Sequence, residues 1–137
     1  MTKADAVKAI LQRWMIEWPS LSDGTPYVFD NDVADESSTY ARVRIQSLQG
    51  GERTIGAPGN RRFVREGLII VELRGPANHG RGPLDVLAAH VRTIFEAVRI
   101  GPAGEVVTFS SYDSEDTSDA ARWVLAVSTP FEYDEPR

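Results

Sequence analysis

The sequence predicts an α+β fold: a two-layer sandwich in which one mostly antiparallel, mixed sheet of four to five strands carries two helices and a long hairpin arm. Three observations predict it. Two stretches, 2–18 and 84–99, repeat apolar residues at helical spacing. Others, 40–48, 63–75 and 120–135, carry apolar residues at strand spacing. The order of elements reads helix, short strand, strand, strand, helix, strand, strand, with each helix showing one apolar stripe to bury against a sheet or against the other helix. The chain has 137 residues, the size of one domain, and 1–137 is read as a single unit.

The first helix rests on Val7, Ile10, Leu11, Trp14 and Trp18. Thr2 is placed to cap it, with Asp5 three residues on as in a capping box, and Pro19 is expected to stop it. Residues 19–39 are rich in turns: Asp23 and Gly24 tolerate positive φ, and Pro26 fixes its own. A short strand at 27–29 precedes the acidic loop DNDVADESS. YARVRIQSL then alternates, with Ala41, Val43 and Ile45 on the inner face. FVREGLIIVELRG, 63–75, is apolar on both faces across 68–71, which predicts a central strand covered on both sides. The connection 49–62 is longer than an ordinary hairpin loop.

The second helix carries Leu84, Leu87, Ala88, Val91, Phe95 and Val98 in one stripe, widened by Ile94. Pro83 suits its first turn, and Gly101 with Pro102 is expected to end it. GEVVTFSSY, 104–112, reads as a strand and DSEDTSD, 113–119, as an acidic turn. The last strand turns Trp123, Leu125, Val127, Thr129 and Phe131 to one face. Pro130 places its end at an edge or outside the sheet.

Composition removes several functions. There is no cysteine, so disulfides, thiolate metal sites and Cys nucleophiles are excluded. Lys and Arg total 15 against 20 Asp and Glu, a net charge of −5, a poor balance for general nucleic-acid binding, which depends on phosphate neutralisation. No apolar run is long enough to span a membrane, and Asp5 and Lys8 interrupt any signal-peptide core.

The motifs that would carry catalysis fail on context. The gap from Gly51 to Gly56 suits a phosphate loop, but Ala57 and Pro58 stand where Lys and Ser/Thr are needed, and the loop opens a strand, not a helix. Asp30 and Asp32 match the first positions of a calcium loop; Ala34 breaks the third. His79 and His90 are the two histidines, too few for a zinc set without cysteine. Glu66, Glu72 and Glu96 read as solvated faces, and the three tryptophans as core. No cofactor, metal or catalytic residue is therefore expected. What stands out is charge: a basic stretch with Arg53, Arg61, Arg62 and Arg65 at the mouth of the longest strand, and acidic stretches at 30–36 and 113–119. Opposite patches on one subunit are what a head-to-tail interface requires. The interface candidates are Arg53, Asn60, Arg61, Arg62 and Arg65, with Asp30, Asp32, Asp35, Glu36, Asp113, Glu115 and Asp116.

The run GGERTIGAPGNRRFVREGLIIVELRGPANHGRGPLDVLAAHVRTIFEAVRI, followed by a strand ending WVLAVSTPFEYDE, resembles the tail terminator proteins of long-tailed phages. The matching positions are Gly56, Asn60, Arg61, Arg62, Phe63, Gly67, Pro76, Gly80, Gly82, Arg92, Phe95, Trp123, Phe131 and Tyr133, over about residues 48–135. The resemblance implies a structural virion protein without catalysis or cofactor. It implies a homo-oligomeric ring, typically a hexamer, that caps the finished tail tube and meets the neck or head-completion proteins. It implies as well that DNA passes through the lumen without specific binding. The location implied is the tail–neck junction of the virion, and the host cytoplasm during assembly. Another neck or connector ring protein is the alternative reading; a small α+β ligand-binding domain or enzyme is the one from a different class.

Overall fold

The computed structural model describes residues 1–29, 38–52, 62–76, 82–116 and 122–136. The order of elements is α1 (Lys3–Leu21), β1 (Tyr27–Phe29), β2 (Tyr40–Glu52), β3 (Arg62–Pro76), α2 (Gly82–Phe95), β4 (Arg99–Ile100), β5 (Val106–Thr108), β6 (Tyr112–Asp116) and β7 (Arg122–Pro136). The fold is α+β, with both helices on one face of a single mixed sheet. That sheet has seven strands, not four to five, in the order β1-β2-β3-β7-β5-β4, with β6 also pairing β7. β1 runs parallel to β2; the other pairs are antiparallel.

Three long strands set the frame. β2, β3 and β7 have 13, 15 and 15 residues, so a 15-residue strand spans roughly 50 Å. α2, with 14 residues, covers only about 21 Å. The β2–β3 ladder runs from Tyr40 opposite Arg74 to Leu48 opposite Glu66, then shifts register before Gly51 meets Val64. It therefore continues past the expected end of the strand, and the connection shortens to residues 53–61.

The register lays the inner face out in rows. Ala41, Leu73 and Leu125 form one row, Val43, Val71 and Val127 the next, and Ile45, Ile69 and Thr129 the third. Over them pack Ala6, Ile10, Trp14 and Trp18 of α1 and Leu84, Leu87, Ala88, Val91, Ile94 and Phe95 of α2, all buried. Trp14 stacks on Trp18, with centroids 4.4 Å apart, and lies parallel to Phe95 at 6.0 Å. Ile45 and Trp123, expected inside, are half-buried, as is Val107. On the other face Ile70 and Tyr40 are buried as well. Beside them Glu72 accepts from Arg74 at 2.8 Å and lies 3.5 Å from Arg44.

Several boundaries differ from the sequence reading. The capping box forms: Asp5 donates its N–H to Thr2 Oγ1, and Thr2 donates its N–H to Asp5 Oδ2, both at 3.2 Å. Pro19 does not stop α1, which runs to Leu21. The carbonyl that a proline there leaves without its helical donor belongs to Met15, on an exposed side of the helix. Ser22 then caps the end by donating to the Trp18 carbonyl at 2.9 Å, and the chain turns through Asp23 and Gly24, both at positive φ.

α2 stops at Phe95, before Gly101. The Phe95 carbonyl accepts from the Thr108 hydroxyl, which also accepts from Val98 N–H at 2.8 Å. Arg13 of α1 donates to the Ile94 carbonyl at 2.6 Å. These tertiary partners take the carbonyls that a longer helix would have used. Residues 113–116, expected as the start of an acidic turn, join Tyr112 in β6. Among the described residues no helix is long and apolar enough to cross a membrane.

Pro130 is the sharpest departure. It lies inside β7, between β3 and the β5/β6 side, not at an edge. Phe109 donates its N–H to the Pro130 carbonyl at 3.0 Å, while the Phe109 carbonyl accepts from Ala97 N–H at 3.2 Å. In a regular ladder the residue at 130 would return a hydrogen bond to that carbonyl. Proline cannot, and Ala97 supplies the donor instead.

Candidate interaction site

Where α1 begins, its first turn leans over the distal part of the sheet and leaves a cleft of about 340 Å³. Lys3, Ala6 and Val7 form one wall, Ile45, Ser47 and Leu48 of β2 another, and Phe131 and Tyr133 of β7 the floor. Phe131 lies across Gly67, its register partner in β3. A Cβ at that glycine would stand 2.4 Å from Phe131 Cζ and 2.7 Å from the Gln46 carbonyl oxygen. The missing side chain is thus what lets the ring lie flat on the sheet and stack on Tyr133, at 6.4 Å.

Arg65, Glu66 and Glu135 stand at the rim, with Arg65 3.7 Å from Glu135. Burial, and secondarily the Glu135 charge, pushes the Tyr133 hydroxyl above its ordinary range. The capping bonds from Thr2 hold the Asp5 carboxyl below the usual carboxylate range. Outside the cleft, Ala4, Val7, Leu11 and Met15 form an apolar flank of α1, edged by Lys3, Lys8 and Gln12. Val7 and Lys3 belong to both surfaces, so the flank runs into the cleft.

The described lining holds no histidine, and His90 sits half-buried on α2. Among the described residues no three His, Asp or Glu side chains come together as metal ligands. The surface can accept an apolar side chain and pair charges at its rim.

Of the residues expected at an interface, Asp30, Asp32, Asp35, Glu36, Arg53, Asn60 and Arg61 lie outside the described residues. Arg62 opens β3 opposite Pro136. Arg65 is in the cleft. Asp113 forms an ion pair with Arg92 of α2, an intramolecular role that the sequence did not suggest. Glu115 is exposed on β6, and Asp116 closes that strand opposite Val124. Arg65 and Asp113 are not brought together: their β7 partners, Tyr133 and Val127, are six residues apart, about 20 Å. Thr108 and Arg13 went unnoticed in the sequence because each acts on a carbonyl distant in the chain.

These features define an α+β fold with an apolar cleft. No protein-family model matches the chain, and no curated protein does. A solved structure is similar over the whole length, with a TM-score of 0.73 and 15% identity, covering 100% of this chain and 99% of that one. Its name states no activity, and at this identity the likeness concerns the fold alone.

Proposed function

We propose that the protein is a tail terminator-like virion protein: a ring-forming subunit that caps the tail tube of a long-tailed phage and offers a face to the neck. The observation that carries the reading is the long β2–β3 hairpin. Its ladder continues to Glu52 and Phe63, and the arginine-rich stretch named in the sequence resemblance joins those two strands in the chain. Arginine suits carboxylate partners because it can pair in a bidentate manner, and a charge pair at a rim changes association more than folding.

The test is Arg61→Glu with Arg62→Glu. Circular dichroism and melting stay close to wild type, ring formation weakens in solution mass measurements and negative-stain images, and tubes grow to uncontrolled length. Normal capping by the double variant would refute the arm's role; a protein that never forms rings, alone or on tubes, would refute the reading. The cleft favours a second reading, a ligand-binding domain, since its volume falls within the range of small-molecule sites. A bound small molecule recovered with the purified protein would support that alternative.

A further inference from the structure

We propose that neighbouring copies of this chain join edge to edge, β6 of one copy adding as an antiparallel strand to the outer edge of β2 in the next. The inference rests on the ring reading and names the surfaces that would build the ring.

The acceptor edge is defined by hydrogen-bond phase. Ala41 donates its N–H to the Pro26 carbonyl on the β1 side, at 3.0 Å. In a regular strand the backbone groups of Val43, Ile45 and Ser47 then point the same way. β1 ends at Phe29, opposite Val43. Beyond it, Ile45 and Ser47 face no strand among the described residues. The stretch 45–48 has neither lysine nor proline, the residues that commonly blunt an edge. It ends at the register shift after Leu48.

The donor lies across the sheet. Among the described residues β6 pairs with β7 alone. Phe109 N–H meets the Pro130 carbonyl, so Pro130, Ser128 and Ala126 turn their backbone groups toward β5 and β6. Tyr112 and Ser114, the register partners of Ser128 and Ala126, face back at β7, and Asp113 faces outward. Directions also agree. β6 is antiparallel to β7, β7 to β3, and β3 to β2, so copies related by rotation in a ring present β6 antiparallel to β2.

With Asp113 opposite Ser47, the outward phases match, while Glu115 falls opposite Ile45. Tyr112 falls opposite Leu48, 52% and 43% exposed. Ser114 falls opposite Gln46. Asp116 falls opposite Arg44, in register terms an acid against a base. Asp113, held by Arg92 within its own copy, comes to Ser47 on the β2 wall of the cleft. Within one copy Tyr112 is level with Arg44, through Ser128 and Ile70. The join therefore offsets successive copies by four residues, about 13 Å, and a closing sheet requires such a stagger.

The chain has no cysteine, so disulfide trapping gives an unambiguous test. Opposed residues at a non-hydrogen-bonded antiparallel position have Cα atoms about 4.5 Å apart, within disulfide reach. Leu48→Cys and Tyr112→Cys, mixed and oxidised, should give a 48–112 dimer, whereas each alone gives none. The chain carrying both should give a ladder ending at the ring's copy number. Ser47→Pro removes one outward N–H and no described ladder bond. It should melt within a few degrees of wild type and lower the ring population at least tenfold. Rings in negative stain without the 48–112 disulfide, or wild-type assembly by Ser47→Pro, would overturn the edge pairing and leave the ring reading standing. No disulfide and no association, in solution or on tubes, would overturn both.

Discussion

Gly67→Ala is the substitution with the most specific outcome. Glycine in a strand interior normally gives up stability, and alanine recovers roughly 0.5–1 kcal/mol when the site has room. Here the added methyl would stand 2.4 and 2.6 Å from Phe131 Cζ and Cε1 and 2.7 Å from the Gln46 carbonyl oxygen. The carbonyl belongs to the β2 ladder and cannot move without disturbing it. The ring can move, but only by leaving Tyr133 for the cleft that it floors. Overpacking of this kind costs about 1–3 kcal/mol. The net loss is about 1–2 kcal/mol, which lowers the Tm by roughly 4–8 °C in a chain of this length. Thermal and urea unfolding measure it. Phe131→Leu in the same chain removes the atoms in the way, so the two changes should couple and cost less together than their sum. An unchanged or raised Tm for Gly67→Ala, or strict additivity with Phe131→Leu, would refute the close approach.

The two buried indoles separate a hydrogen bond from packing. Trp18 donates its Nε1–H to the Thr25 carbonyl at 2.9 Å, whereas Trp14 Nε1 has no hydrogen-bond partner. Urea unfolding should show Trp18→Phe costing about 1 kcal/mol more than Trp14→Phe, the worth of one buried hydrogen bond; equal costs would contradict the assignment. Tyr133 sets an alkaline limit. Its hydroxyl titrates above the ordinary range in the folded chain, so its contribution is fully present below about pH 10, the unfolded value, and is lost as pH rises through the folded value. Tyr133→Phe should flatten stability against pH in that window, and an unchanged alkaline slope would show that another group sets it.

The helices and the three long strands were legible because their signals are periodic and local: the α2 stripe, the alternation of β2, and the double-faced apolar run of β3. What was not legible depends on partners remote in sequence. α2 ends at Phe95 because Thr108 and Arg13 take its last carbonyls, and neither is near the helix in the chain. The acidic stretch 113–116 has the composition of a turn, yet β7 provides a ladder for it, and tertiary context outweighs weak strand preference. The cleft follows the same rule. Gly67, Phe131 and Tyr133 can be picked out individually in the sequence, but their meeting requires the β3–β7 register, and the wall opposite them requires the position of α1.

Pro130 shows the physical limit of reading a strand by itself. The rule that sends proline to an edge counts hydrogen bonds: an interior strand uses every backbone N–H, alternately toward one neighbour and the other. The count in this fold is local, not strand-wide. On the β5/β6 side of β7, regular pairing stops after Thr108 and resumes at Tyr112. Pro130 falls at that interruption, and Ala97 satisfies the Phe109 carbonyl that proline leaves. The missing donor therefore costs little where it sits. The interruption also resets the register, allowing β6 to continue along β7 with Asp113 turned outward. A donor at 130 would compete with Ala97 for the same carbonyl and draw the chain between β5 and β6 back into the ladder, so the proline protects the break on which the outward edge of β6 depends.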